Sequence, residues 1–256
     1  MFNNQHAGEV REQSSFWDTA SADASPAAVE VRALIAAILK PQDWSGKAVL
    51  DGGCGNGDYS AAFHAMNAGA ASGLDVSVGS LLTARQKAQG VPFLQGSLSE
   101  LPYRSASVDV VWSWGVLHYV PDPFKAIREV GRVLRPGGVA VIHTLGANKW
   151  SALELGLQQV LSRSPRVVRA LVLSGGSRLI PFVTRLRTGK RPEAHTSKSV
   201  RQKLQERLLV PGKQHTFHFE EIVAVFGPNF ICERARPPVA DLLKRDMSLT
   251  VVARKK

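Results

Sequence analysis

The stretch Val49-Leu50-Asp51-Gly52-Gly53-Cys54-Gly55-Asn56-Gly57 ends a short apolar run in an acid and follows it with four glycines in six residues. Glycine lets backbone approach a ligand closely and take positive φ, so a glycine-rich turn between a strand and a helix is a cradle for a small polar ligand. Two ligands compete for it. A dinucleotide loop needs G-x-G-x-x-G, with the third glycine opening the helix. Counted from Gly53 that place falls on Asp58, and from Gly55 on Ser60. Asp51 would also repel a pyrophosphate at the strand end. An acid there suits a cationic group instead, such as the ammonium of an amino acid.

The elements around the loop alternate. Lys47–Asp51 reads as a strand, and Ser72–Val76 and Val91–Leu94 as two more, with a helix from about Ser77 to Gln89 between them. Val108–Trp112 is a further strand, Pro123–Leu134 an amphipathic helix and Gly138–His143 a fifth strand. This β-α-β rhythm predicts a doubly wound, mostly parallel sheet with helices on both faces. It breaks at Leu145 and resumes near His215, where Phe219–Phe226 reads as a helix and Phe230–Arg234 and Ser248–Ala253 as the last strands. The intervening stretch reads as helical, with Val200, Leu204 and Leu208 one turn apart. At the other end, Val29–Leu39 has a helical period, and Phe16-Trp17 is the one large apolar feature of the first 25 residues.

With Asp51, Gly53, Gly55 and Gly57 in the order D-x-G-x-G-x-G, the chain resembles the class I S-adenosylmethionine-dependent methyltransferases. Leu101-Pro102-Tyr103, Ser107–Val111, Leu117–Asp122 and Arg132–Gly138 resemble later blocks of the same family, so the likeness runs from about Gly46 to Thr144. The resemblance implies a seven-stranded α/β core at 46–144 and 215–256, an N-terminal helical lid at 1–45 and a helical, basic cap at 145–214 inserted after the fifth strand. It also implies S-adenosylmethionine as cofactor. By that likeness the loop Gly53, Cys54, Gly55 and Gly57 holds the methionine part, Asp51 lies near its amino group, and Asp75 accepts from both ribose hydroxyls. Val76, Ser97, Leu98, Trp114 and the lid's Trp17 complete the pocket. The family usually has Gly-Asp after the third strand, whose carboxylate bonds the adenine amino group. This chain has Gly96-Ser97, which offers a hydroxyl and the backbone of Ser97 and Leu98.

An oxygen or carbon acceptor must lose a proton, so a base helps its methylation. Three histidines are candidates. His118 follows the fourth strand, His143 ends the fifth, and His218, with His215, sits where the basic stretch returns to the core. No Pro-Cys pair and no metal-ligand spacing is present, which argues against cysteine-mediated base methylation and against a metal site.

The chain has 256 residues, enough for one large core. Two cysteines make no disulfide framework. No secretory signal and no run of about 18 apolar residues is visible, so a cytoplasmic, single-domain protein is expected. Between Leu145 and Gln214 fourteen Lys and Arg face three Asp and Glu, so this stretch carries the whole net charge of +11. Such asymmetry points to an anionic partner. The expected activity is O-methylation of a small-molecule biosynthetic intermediate with an anionic or lipid-like part. The rival readings are an RNA (rRNA or tRNA) methyltransferase using the basic insert, and a non-catalytic S-adenosylmethionine-binding scaffold.

Overall fold

The computed structural model describes residues 7–20, 28–40, 42–165, 168–169, 171–172, 174–175, 214–236 and 248–256. In chain order these form α1 (Ala7–Ala20), α2 (Ala28–Leu39), β1 (Ala48–Gly52), α3 (Asp58–Ala65), β2 (Ala70–Asp75), α4 (Val78–Lys87) and β3 (Phe93–Gln95). There follow β4 (Val108–Trp114), a 3-10 turn (Leu117–Tyr119), α5 (Pro123–Val133), β5 (Leu134–Leu145), α6 (Lys149–Ser162), α7 (Phe219–Phe226), β6 (Phe230–Ala235) and β7 (Ser248–Lys255).

The strands make one seven-stranded sheet in the order β3-β2-β1-β4-β5-β7-β6, in which β7 runs antiparallel to both neighbours. The expected doubly wound architecture is therefore present. Its central strands read as unbroken apolar runs because both faces are covered. Leu50, Val111, Ala140, Ile142 and Val251 pack under α5 and α7, with Ile127, Val130 and Ile222. Their neighbours Val49, Val110, Trp112, Val141 and Val252 pack on the other side with Val31, Ile35 and Leu39 of α2 and Phe63 of α3. Trp112 is fully buried there, a core residue.

Several boundaries differ from the sequence reading. β5 begins at Leu134, not Gly138: Val108 pairs with Leu134 and Val110 with Val139, so Arg135-Pro136-Gly137-Gly138 bulges from the ladder. A bulge adds unpaired residues that the period-2 pattern does not register. β4 runs on to Trp114, and residues 7–20 are a helix. Among the described residues of the expected 1–45 lid, those of α1 line the cavity described below, and the apolar stripe of α2 is buried on the sheet.

The chain divides into two compact units, Met1–Ser151 with Gly212–Lys256, and Ala152–Pro211. In the second, Arg169 N donates to Pro165 O at 3.2 Å, a helical i to i−4 bond. Val200, Leu204 and Leu208, and most of the basic side chains of that stretch, lie outside the described residues.

Candidate active site

A cleft of about 200 Å³ opens at the carboxyl ends of β1, β2, β3 and β4, where ligands of open α/β sheets bind. It is lined by Gly53 and Gly55, by Leu74, Asp75 and Val76, by Gly96–Leu98, by Trp114–Val116 and Tyr119–Pro121, and by Val10, Gln13, Trp17 and Ser80. Seven residues expected at the cofactor therefore meet in one place: Trp17, Gly53, Gly55, Asp75, Val76, Ser97 and Leu98, with Trp114 as the eighth.

The glycine loop is a tightly bonded turn. Gly53 N and Cys54 N both donate to Leu74 O, at 2.7 and 3.0 Å, Gly57 N donates to Cys54 O, and Gly55 N donates to Asp75 Oδ2 at 2.8 Å. Gly53, Gly55 and Gly57 all have positive φ. A side chain on Gly53 would strike Val116, whereas the space beside Gly55 is open. Asp75 Oδ1 accepts from Ser77 N at 2.9 Å. Each carboxylate oxygen has a further lone pair, so Asp75 holds the loop and still has capacity to accept from a ligand. Burial raises its pKa above the usual carboxylate value.

Asp51, Cys54 and Gly57 do not line the cleft. Asp51 is 1% exposed, and its Oδ2 accepts from Ser60 N at 2.9 Å and Ser60 Oγ at 2.7 Å. It thus ties the end of β1 to the first turn of α3. Burial pushes its pKa up to about 7. Cys54 packs against Leu81, Ala84 and Phe93, and burial drives its thiol pKa upward. That is an inert side chain.

The three histidines stand in different surroundings, and none lines the cleft. His118 is buried, with Nδ1 at 3.3 Å from Thr144 Oγ1. His218 is exposed and caps α7, its backbone N–H donating to Glu221 at 2.6 Å. His143 is half-buried beside the cleft. Its ring stacks on Trp114, which lines the cleft, with centroids 3.9 Å apart and planes 7° apart, and its Nδ1 pairs with Thr250 Oγ1 at 2.7 Å.

Polar bonds hold α1, part of the expected N-terminal lid, at the cleft rim. Gln13 Nε2 donates to Tyr119 O at 2.7 Å, and Ser14 Oγ donates to Val76 O at 2.9 Å. Asp18 Oδ1 accepts from Ser77 Oγ and Gly79 N, at 2.7 and 2.9 Å, so the helix is fastened across the cleft rim. Trp17 meets Tyr119 edge-on at 5.2 Å.

Loop, Asp75 and a deep neutral end fit a nucleoside joined to an amino acid, and residues 50–142 match the family model described as "Methyltransferase domain". Residues 50–142 carry a methyltransferase domain. This domain is 35% identical over 129 residues to 27-O-demethylrifamycin SV methyltransferase of Amycolatopsis mediterranei, covering 48% of this chain and 47% of that protein. It is 34% identical over 115 residues to malonyl-[acyl-carrier protein] O-methyltransferase of Serratia marcescens, covering 45% of each. The chain spans about half the length of these relatives. The fold is shared with magnesium protoporphyrin IX methyltransferase of Synechocystis with bound S-adenosylhomocysteine, at 15% identity and a TM-score of 0.59 over 97% of this chain and 100% of that one. Outside the methyltransferase domain, no described helix is long and apolar enough to cross a membrane.

Proposed function

We propose that this chain is an S-adenosylmethionine-dependent methyltransferase that methylates an oxygen of a small-molecule biosynthetic intermediate bearing an anionic or lipid-like part. The observation that carries the reading is the single cleft shared by the positive-φ loop of Gly53 and Gly55, the Asp75 carboxylate and the neutral surfaces of Val76, Ser97 and Leu98. In this reading those residues hold the cofactor, and Trp17 of α1 closes over it. When bound, S-adenosylmethionine supplies a methyl group activated on a sulfonium.

The protein's own contribution is then positioning and proton removal. His143 is the base this reading favours: its Nδ1 pairs with Thr250 Oγ1, and its ring stacks on Trp114, which lines the cleft. Oxygen as acceptor is supported by relatives named as O-methyltransferases. An anionic acceptor is supported by the charge of the stretch from Leu145 to Gln214.

Calorimetric titration with S-adenosylmethionine, S-adenosylhomocysteine and NADH tests the cofactor. Binding of the first two at micromolar levels and none of NADH is expected; the reverse pattern sinks the reading. A screen of anionic small molecules and of RNA with methyl-labelled S-adenosylmethionine tests the acceptor, and label appearing in RNA alone overturns the small-molecule assignment. His143→Ala should abolish label transfer while leaving the affinity for S-adenosylhomocysteine unchanged.

A further inference from the structure

Ala152–Pro211, the second compact unit, holds twelve Lys and Arg against three Glu, a net charge of +9, together with nineteen Leu, Ile and Val. Its exposed side chains are aliphatic as well as basic. Among the described residues of the chain ten large apolar side chains are exposed, and four of them, Leu157, Val160, Val168 and Leu171, fall within the fifteen residues 157–171. Apolar side chains scattered singly over a surface are ordinary, whereas a cluster marks a contact. α6 buries Gln158, at 7% exposure, and leaves Val160 at 63%. A helix whose outer face meets only water turns the other way, with the aliphatic side chain inward. Leu171, 65% exposed, sits in the helical residues that follow Pro165. Arg163, Arg166 and Arg169 stand among these four along the chain, and Arg163 is exposed.

Arginine beside exposed aliphatic side chains is the composition of a helix that lies on a lipid surface. Guanidinium groups meet the headgroup phosphates, and Leu and Val enter the acyl boundary. Attraction to an anionic leaflet grows with every Lys or Arg brought near it. A single-stranded RNA surface needs rings on which bases stack, and the core of a protein interface is enriched in aromatic residues and Met. With Phe182 as its one aromatic residue, and with no Met, this unit supplies neither.

We propose that the unit Ala152–Pro211 docks on the surface of an anionic phospholipid bilayer through Leu157, Val160, Val168 and Leu171 and the arginines among them. The inference goes beyond the methyltransferase reading and does not depend on it. It is tested by flotation of the full chain with vesicles of phosphatidylcholine alone, and with vesicles of equal parts phosphatidylcholine and phosphatidylglycerol. The protein should float with the anionic vesicles and stay behind with the neutral ones. Val160→Ser combined with Leu171→Ser keeps the net charge and removes the two most exposed of the four aliphatic groups. It should weaken binding to the anionic vesicles at least about tenfold. Both positions are exposed, so the thermal midpoint of the double variant should stay where it is. No flotation with the anionic vesicles overturns the proposal, and so does equal flotation with the neutral ones. These two wild-type outcomes decide even where the variant is unstable. Unchanged binding by a folded double variant shows attraction by charge alone and also overturns it. Retention by an RNA duplex at a salt concentration where the anionic vesicles retain none assigns the surface to RNA instead.

Discussion

Asp51 shows how a residue chosen for chemistry can act on the fold instead. Its carboxyl is enclosed, and burial outweighs the two hydrogen bonds from Ser60, so its pKa rises from 3.8 to about 7. The folded chain therefore keeps a proton that the unfolded chain releases. The stability tied to this group is complete below about pH 4 and is lost as pH climbs to about 7, by up to about 1.4 kcal/mol per pH unit. Asp51→Asn retains an oxygen acceptor for Ser60 and cannot ionise. The urea midpoint of the native protein should fall relative to this variant between pH 5 and 7.5, and parallel curves would refute the assignment. Asp51→Ala strands a buried N–H and a buried hydroxyl of Ser60, at a cost of about 2–3 kcal/mol. The D-x-G-x-G-x-G pattern made Asp51 visible, but its partner nine residues on belongs to a helix turn that no motif marks.

At the scale of elements, the loop works because α3 and α4 approach it closely. Gly57, with φ 77°, is the N-cap of α3, and a Cβ there would lie 2.8 Å from Ala84 Cβ of α4 and 3.2 Å from the Phe93 ring. Gly57→Ala combines a strained backbone with overpacking, so it should lower stability by about 1–3 kcal/mol, read as a drop in the thermal midpoint. The joint between α1 and α4 is a polar one. Asp18→Ala removes the acceptor for Ser77 Oγ and Gly79 N. It should speed release of S-adenosylhomocysteine several-fold in stopped-flow Trp fluorescence, since α1 is held over the cleft by such bonds. An unchanged release rate would show that α1 does not gate the cleft. The sequence reading expected a helical lid at 1–45 but gave this helix no bounds, for a physical reason. Hydrophobic periodicity marks a helix by its buried apolar stripe, whereas α1 turns Gln13, Ser14, Trp17 and Asp18 toward its neighbours, a face of mostly polar groups at helical spacing.

Along the chain, the net charge and the cleft residues fall in different stretches. Among the described residues Asp75 is the one carboxylate that lines the cleft, while the stretch from Leu145 to Gln214 carries the net charge. Screening acts on long-range attraction between exposed charges. Raising salt from about 50 to 500 mM, which shortens the Debye length severalfold, should therefore raise the KM for an anionic acceptor. The dissociation constant of S-adenosylhomocysteine should barely change. Equal salt dependence of both would contradict this division. What the amino-acid sequence alone determined was everything that repeats locally: the strand and helix alternation, the positive-φ glycines, the acid at the end of β2, and hence the class of domain. The tertiary structure decided which side chains meet. His143 meets Thr250, 107 residues away, and Gln13 reaches the Tyr119 carbonyl 106 residues on. Such pairs leave no period and no spacing in the chain, since they exist only once the sheet has brought β5 beside β7 and α1 has docked across the rim.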